Sequence, residues 1–249
     1  MKRFLTFFLI LSINLVYSQI YTSRTIEIEA GKMNDFIEAA AKKTQKYNNS
    51  EDNFGYYTFE ILSGQDTGKI FRVQVGTPEM MDKGVDQDEL NYWSKNVGPY
   101  IKSNSSGRTV MWWRNADASF VPDIASDNDL RMVLFYNYKD EGEDDFWRFR
   151  ERQAMARAAM EDDQLDSAMN VMVCSSGCGG NWVAIFFSYE SFEAQRSTNQ
   201  EGLPKLVEKY NEMFGEGSYE QDSARVDASL VENGRSRVHM RLIREASSN

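Results

Sequence analysis

Histidine is nearly absent from this chain, with one in 249 residues, and cysteine is scarce, with two. A single imidazole, His239, excludes His-cluster metal sites and leaves any Ser-His-Asp or Cys-His arrangement dependent on that one residue. No G-x-S-x-G elbow accompanies it. Phosphate loops and dinucleotide fingerprints are missing too: Gly177-Cys178-Gly179-Gly180 is a glycine-rich turn without the Lys and Ser/Thr of a P-loop. Positive charge is in deficit. A formal net charge of −10 repels phosphate backbones and anionic lipid, so nucleic acid is not an expected partner. The arginines Arg148, Arg150 and Arg152 are interleaved with acids and read as one solvated helix face. The acidic stretches Asp127-Asn128-Asp129 and Asp140–Asp145 lack EF-hand spacing, and neither a metal nor a resident cofactor is expected.

Long apolar runs are confined to the start of the chain. Lys2 and Arg3 precede the apolar stretch Phe4–Val16, and Val16-Tyr17-Ser18 supplies a small-residue cleavage site, so residues 1–18 read as a signal peptide with Gln19 as the new N-terminus. The mature chain is then an exported protein, periplasmic or extracellular, and more acidic by the two lost charges. Its longest apolar run, Val183–Phe187, is far too short to span a bilayer. Asn48 and Asn104 each open a glycosylation sequon, which matters only where the source glycosylates Asn.

What is present is a repeat. Phe59–Gly76 aligns without a gap on Val171–Ser188 at a shift of 112, which superposes Gly68 on Gly180, Val73 on Ile185 and Val75 on Phe187. Both stretches read as hairpins. A helix-period stretch follows each, with Leu90, Trp93, Val97 and Ile101 answering to Leu203, Leu206, Tyr210 and Phe214. Ahead of the first hairpin, Ile26, Ile28 and Ala30 alternate as a strand, and Met33, Phe36, Ile37, Ala40, Thr44 and Tyr47 form one stripe of a helix. The remaining strands are Tyr56–Leu62, Lys69–Val75 and Arg108–Arg114, with a helix over Asp86–Lys102. The second copy offers strands Met132–Tyr138, Ala168–Cys174 and Asn181–Ser188. Its helices are Asp144–Asp163, Leu203–Phe214 and a shorter piece over Glu190–Arg196. At the end, Val226–Val231 and Arg235–Arg244 read as an extra hairpin around Glu232-Asn233-Gly234.

Each copy therefore has the order β-α-β-β-α-β, the ferredoxin-like split βαβ unit, over residues 20–114 and 131–245, joined by a linker over 115–130. Such a unit covers one sheet face with helices and leaves the other bare. Two copies facing each other solve that problem by forming an α+β barrel. Cys174 and Cys178, some 13 Å apart on a straight strand at about 3.3 Å per residue, can meet only across a turn. The repeat puts them in the second hairpin loop. A structural disulfide is the leading reading, with two free thiols and a metal or redox site as alternatives.

With this element order, and with the hairpin-to-helix passage Phe187-Ser-Tyr-Glu-Ser-Phe-Glu-Ala194, the chain resembles the dimeric α/β-barrel superfamily, including antibiotic-biosynthesis-monooxygenase-like and NIPSNAP-like proteins. The resemblance implies a pseudo-dimer within one chain, itself a monomer or a homodimer. It also admits cofactor-free oxygenases, haem-handling enzymes and proteins without activity. His239 alternates with Val238 and Met240 and shares the solvent-facing side with Arg237 and Arg241, which argues against haem ligation. The better lead is aromatic: Trp93, Trp112, Trp113, Trp182 and Tyr136 as walls of a cavity for a small apolar or aromatic ligand, with Arg72, Arg114 and Asn137 as unranked polar guides. Adjacent Trp112 and Trp113 point to opposite faces of one strand. The leading expectation is a non-catalytic small-ligand-binding or interaction protein. The alternative is a cofactor-free monooxygenase-like enzyme acting on a small aromatic or apolar substrate.

Overall fold

A computed structural model describes residues 19–50, 52–103, 107–122, 128–160 and 168–248. The expected signal peptide, the Asn104 sequon and part of the expected linker lie outside them. Eight antiparallel strands close into a barrel in the order β1-β3-β2-β8-β5-β7-β6-β4. The N-terminal half contributes β1 (Ile20–Ile26), β2 (Gly55–Ile61), β3 (Ile70–Gly76) and β4 (Val110–Arg114). The C-terminal half contributes β5 (Leu130–Tyr138), β6 (Met169–Ser176), β7 (Asn181–Tyr189) and β8 (Leu230–Leu242). The halves meet at two seams, β2 with β8 and β4 with β6. Closure leaves no sheet edge exposed. No helix among the described residues is long and apolar enough to cross a membrane.

Strand alternation divides the side chains between two compartments. The barrel interior holds Phe59, Ile61, Phe71, Trp112, Val133, Met172, Ala184 and Met240. Outside it, the N-terminal half packs Ile26 and Ile70 against Phe36 and Ala40 of α1 (Met33–Tyr47) and against Val97, beyond α3 (Gln87–Asn96). The short α2 (Pro78–Asp82) lies between β3 and α3, with Thr77 capping it through a bond from Met80 N. The C-terminal half packs Leu134, Tyr136, Val171 and Ile185 against α4 (Glu143–Ala158), α6 (Leu203–Phe214) and α7 (Ser218–Ser229), with α5 (Phe192–Ser197) leading into α6.

Several expectations need correction. The hairpins do not superpose at a shift of 112. Val73 faces the barrel interior, whereas Ile185 faces the helices. A shift of 113 carries the pair Phe59↔Phe71 onto Met172↔Ala184, and it is the shift of the helices as well. One residue of slip exchanges every side chain between faces, which a gap-free alignment of two apolar strands does not detect. The extra C-terminal hairpin is replaced by α7 followed by one strand, so Val226 is helical and buried. The first strand runs over Ile20–Ile26, and Ile28 keeps only a bridge to Ile101. The helix expected to reach Lys102 stops at Asn96, because Pro99 disfavours helical geometry at Gly98 and the chain continues as a 3-10 turn. Arg150 is buried, its guanidinium 4.5 Å from the Tyr136 ring centre, and is not on a solvated face. Asn48, in the first sequon, is buried and bonded to Lys43.

Cys174 and Cys178 form a disulfide with Cα atoms 6.4 Å apart. Gly177 makes this possible by turning the chain in the left-handed region, φ 83°, where a Cβ would also come within 2.5 Å of the Thr109 carbonyl.

Candidate functional site

A cavity of about 690 Å³ lies between the outer face of β1–β3 and the helices α1 and α3. β1 and β3 pair antiparallel with Thr22 opposite Gln74 and Arg24 opposite Arg72, and all four side chains line this space. Tyr56 enters from β2, Lys43 and Tyr47 from α1, Glu89 and Trp93 from α3. The lip is formed by α2 with Met80 and Met81 and by the turn Lys83-Gly84-Val85-Asp86.

Arg72 forms the floor. It is 2% exposed, and its terminal nitrogens donate to Thr58 Oγ1 (3.0 Å) and Thr44 Oγ1 (3.1 Å), while its Nε has no partner. The guanidinium carbon lies 4.6 Å from the Tyr56 ring centre and 4.9 Å from that of Trp93. Arg24 sits over Trp93 from the other strand, 5.1 Å from its ring centre. Among the described residues neither arginine has a carboxylate within ion-pair distance. Lys43 is buried as well; it donates to Asn48 Oδ1 (2.7 Å), pairs with Glu89, and lies 3.8 Å from the Tyr56 ring centre.

Burial governs the proton affinities here. Desolvation, then the charge of Arg72, lowers the Lys43 ammonium to about 8 despite its bond with Glu89. Desolvation brings Arg72 down to about 10 and lowers Arg24. Burial lifts the Tyr56 phenol to about 12. The site thus concentrates desolvated cations around two rings, and its acids are otherwise engaged. Asp86 accepts from the Asp88 and Glu89 backbone N–H groups at the start of α3, and Asp52 stands exposed at the rim.

The corresponding space in the C-terminal half is about 190 Å³. Phe149 of α4 and Tyr219 and Val226 of α7 occupy the room that stays open in the other half. Where β5 meets β7, Leu134 stands opposite Ile185 in place of two arginines. The positive groups lining this space are Arg150, which bonds Gln153 (2.8 Å), Arg157, lowered by burial to about 10 and lying 5.4 Å from the Phe187 ring centre, and the more exposed Arg235 and Arg237 of β8. A third, largely apolar space of about 270 Å³ lies in the barrel interior beside Trp112.

The five aromatic candidates are not brought together. Trp93 walls the large cavity. Trp112 points into the barrel interior, where its indole N–H donates to Ser23 Oγ (2.8 Å). Trp113 turns outward and is the more exposed of the pair, as strand geometry requires. Trp182 is partly buried against the barrel interior near the disulfide, with its indole N–H donating to the Gly179 carbonyl (3.3 Å). Tyr136 is buried in the C-terminal half and borders the smaller cavity. Of the polar guides, Arg72 is in the large cavity; Arg114 and Asn137 are not among its walls. Missing from the sequence reading were Arg24, Lys43 and Glu89.

His239 departs from its expected solvent exposure. Its ring is half-buried, with Nε2 3.1 Å from Gln195 Oε1, Nδ1 3.4 Å from Ser63 Oγ, and its centre 5.3 Å from that of Phe192. It lines neither helix-sheet cavity, so a histidine-ligated haem does not fit these residues.

No family model matches the chain, and no curated protein matches it. Solved structures do. The putative monooxygenase of Fusobacterium nucleatum is 11% identical with a TM-score of 0.62, covering 92% of this chain and 94% of its own. That of Lactobacillus acidophilus is 10% identical with a TM-score of 0.59, covering 93% and 96%. Chlorite dismutase from Candidatus Nitrospira defluvii is 10% identical with a TM-score of 0.52, covering 93% and 95%. At such identities the likeness concerns the fold alone, a closed eight-stranded α+β barrel.

Proposed function

We propose that this protein is exported after removal of residues 1–18 and binds a small molecule in the cavity between β1–β3 and the helices α1 and α3. The observation that carries the reading is the cavity itself. It measures about 690 Å³, large enough for a ligand of drug-like size, and is walled by Trp93 and Tyr56 over a buried arginine. Export is supported by the charged and apolar start of the sequence and agrees with the Cys174–Cys178 disulfide.

The architecture we infer is a tandem pair of ferredoxin-like units. Reading around the barrel gives β4-β1-β3-β2 and then β8-β5-β7-β6, the same order twice, and the hairpins agree at a shift of 113. The chain then supplies both halves of a barrel without a second subunit.

A second reading, a cofactor-free oxygenase acting on the same ligand, is favoured by the fold of the neighbours and by Lys43. Its ammonium, brought to about 8, can exchange a proton near neutrality beside Tyr56 and Trp93. Screening aromatic compounds by tryptophan fluorescence and oxygen uptake separates the two. Saturable quenching lost in Trp93→Ala, without oxygen consumption, is expected for a binding protein. Oxygen uptake lost in Lys43→Met would establish the enzyme.

A further inference from the structure

Arg24 and Arg72 are direct cross-strand partners. Like charges in that position repel and are ordinarily avoided. Here they are held together in a partly closed space, at the foot of a chain whose overall charge is −10. The deep part of the cavity carries Arg24, Arg72 and Lys43 against Glu89 alone, and Glu89 is committed to Lys43. The rings of Trp93 and Tyr56 lie against the cationic groups. Such stacking leaves the in-plane donors of a guanidinium available. One of those donors, Arg72 Nε, is buried and unpartnered. An unmet donor on a desolvated cation is costly to keep.

We propose that the cavity selects organic oxyanions: a flat, mostly apolar body carrying one carboxylate, sulfonate or phosphate, whose oxygens are gripped by the half-buried Arg24 guanidinium in the field of the buried Arg72 charge, while the body lies among Trp93, Tyr56 and Met80. This rests on the reading of the cavity as the ligand site and adds the charge of the ligand. A neutral molecule would leave the donors of Arg24 unmet. An oxyanion meets them and relieves the repulsion between the two guanidinium groups, which is where discrimination arises.

Two dyes with the same ring system test this on the full mature chain: 8-anilinonaphthalene-1-sulfonate, which carries an oxyanion, and N-phenyl-1-naphthylamine, which does not. The sulfonate is expected to bind at least about tenfold more tightly, the size of one charge-assisted hydrogen bond. Arg24→Met and Arg72→Met should each remove most of the sulfonate's advantage over the neutral dye. Should Arg72→Met fail to fold, Arg24→Met, whose side chain is only half-buried, carries the comparison. Equal affinities in the unaltered protein, with both dyes weakened by Trp93→Ala, would overturn the anion inference and leave the ligand site standing. Absence of binding by either dye, or binding indifferent to Trp93→Ala, would overturn the ligand site and the inference with it.

Discussion

The two halves of the barrel solve the space between sheet and helix in opposite ways. In the C-terminal half, Leu134 and Ile185 meet across β5 and β7, Leu206 and Tyr210 of α6 close over them, and α7 is added as a further cover. In the N-terminal half, Arg24 and Arg72 hold the same cross-strand place and Trp93 stands where α6 has Leu206 at the shift of 113. Among the described residues no helix like α7 closes the space. The first arrangement places aliphatic groups at the cross-strand position, with Arg150 and Arg157 buried beside them. The second gives that up, keeping desolvated cations around an opening, and such a cost is characteristic of a site retained for binding. The seams between the halves are continuous sheet, so a stable C-terminal half can support a costly N-terminal one.

Four measurements would break or sharpen this contrast. The largest effect should come from Asp222, which ties α7 down. Its carboxylate is 4% exposed and accepts from Tyr210 Oη (2.6 Å), Arg152 (2.8 Å) and Arg148 (3.1 Å). Burial alone would raise its pKa, but the hydrogen bonds of Tyr210 and Arg152 and the nearby charges outweigh it and hold the pKa below the usual carboxylate value. Asp222→Ala should therefore cost about 3 kcal/mol in chemical denaturation, since it leaves buried partners unpaired. The stabilisation is complete above the unfolded value near 4 and disappears as pH falls through the lowered folded value. A cost below about 0.5 kcal/mol, as at an ordinary surface position, would mean that α7 does not seal this half.

Next comes the disulfide, present only in the C-terminal hairpin. Cys174→Ser with Cys178→Ser should lower stability by about 2 kcal/mol, a small effect because the closed loop is short. Thermal melts with and without reductant check it, and the N-terminal cavity should retain its ligand affinity in both.

The third measurement converts one half towards the other. Arg24→Leu combined with Arg72→Ile should raise stability by about 1 to 2 kcal/mol, because two facing desolvated charges are replaced by aliphatic groups. Binding of an anionic probe should be lost in the same variant. Gain of stability together with loss of binding is the pattern expected of a functional site. Loss of both would make the arginines structural.

The smallest effect is a pH dependence through Lys43. The charged and titratable groups facing it are Glu89 on α3, Arg72 on β3, Arg24 on β1 and Tyr56 on β2, with the Trp93 ring alongside. Its folded pKa, about 8, is below its ordinary value of 10.5. Between these values the unfolded chain binds more protons than the folded one, so the Lys43 contribution to stability rises with pH over that window. Anion affinity should move the other way, weakening a few-fold as pH passes about 8, while the two arginines stay charged. An affinity flat from pH 7 to 9 would exclude Lys43 from the grip.

These contrasts were only partly legible in the sequence. The helix α1 was visible because Phe36, Ala40 and Thr44 repeat with its period, and the disulfide because Cys174 and Cys178 flank a glycine turn. The closed antiparallel barrel followed from element order, since a sheet with two apolar faces must cover both. α7 was hidden because only Val226 and Ser229 accompany Asp222 among its buried residues, and a buried acid reads as a surface residue until its partners are known. The cavity was hidden for the same reason. Arg24 stands between Ser23 and Thr25, and Arg72 alternates with Phe71 and Val73, as solvent-facing strand residues would, and only the β1–β3 register shows that they face each other under a helix layer. Trp93 was singled out by its chemistry and lines the large cavity, but Trp112, Trp113 and Trp182 share that chemistry in other compartments.

A crystal structure of the protein with 8-anilinonaphthalene-1-sulfonate bound tests the central claim most directly. The account predicts the dye between β1–β3 and α1/α3, with sulfonate oxygens about 3 Å from the Arg24 guanidinium, on the side of Arg72. Dye seated in the barrel interior beside Trp112, or in the C-terminal cavity beside Tyr136, with the arginine pair untouched, would contradict it.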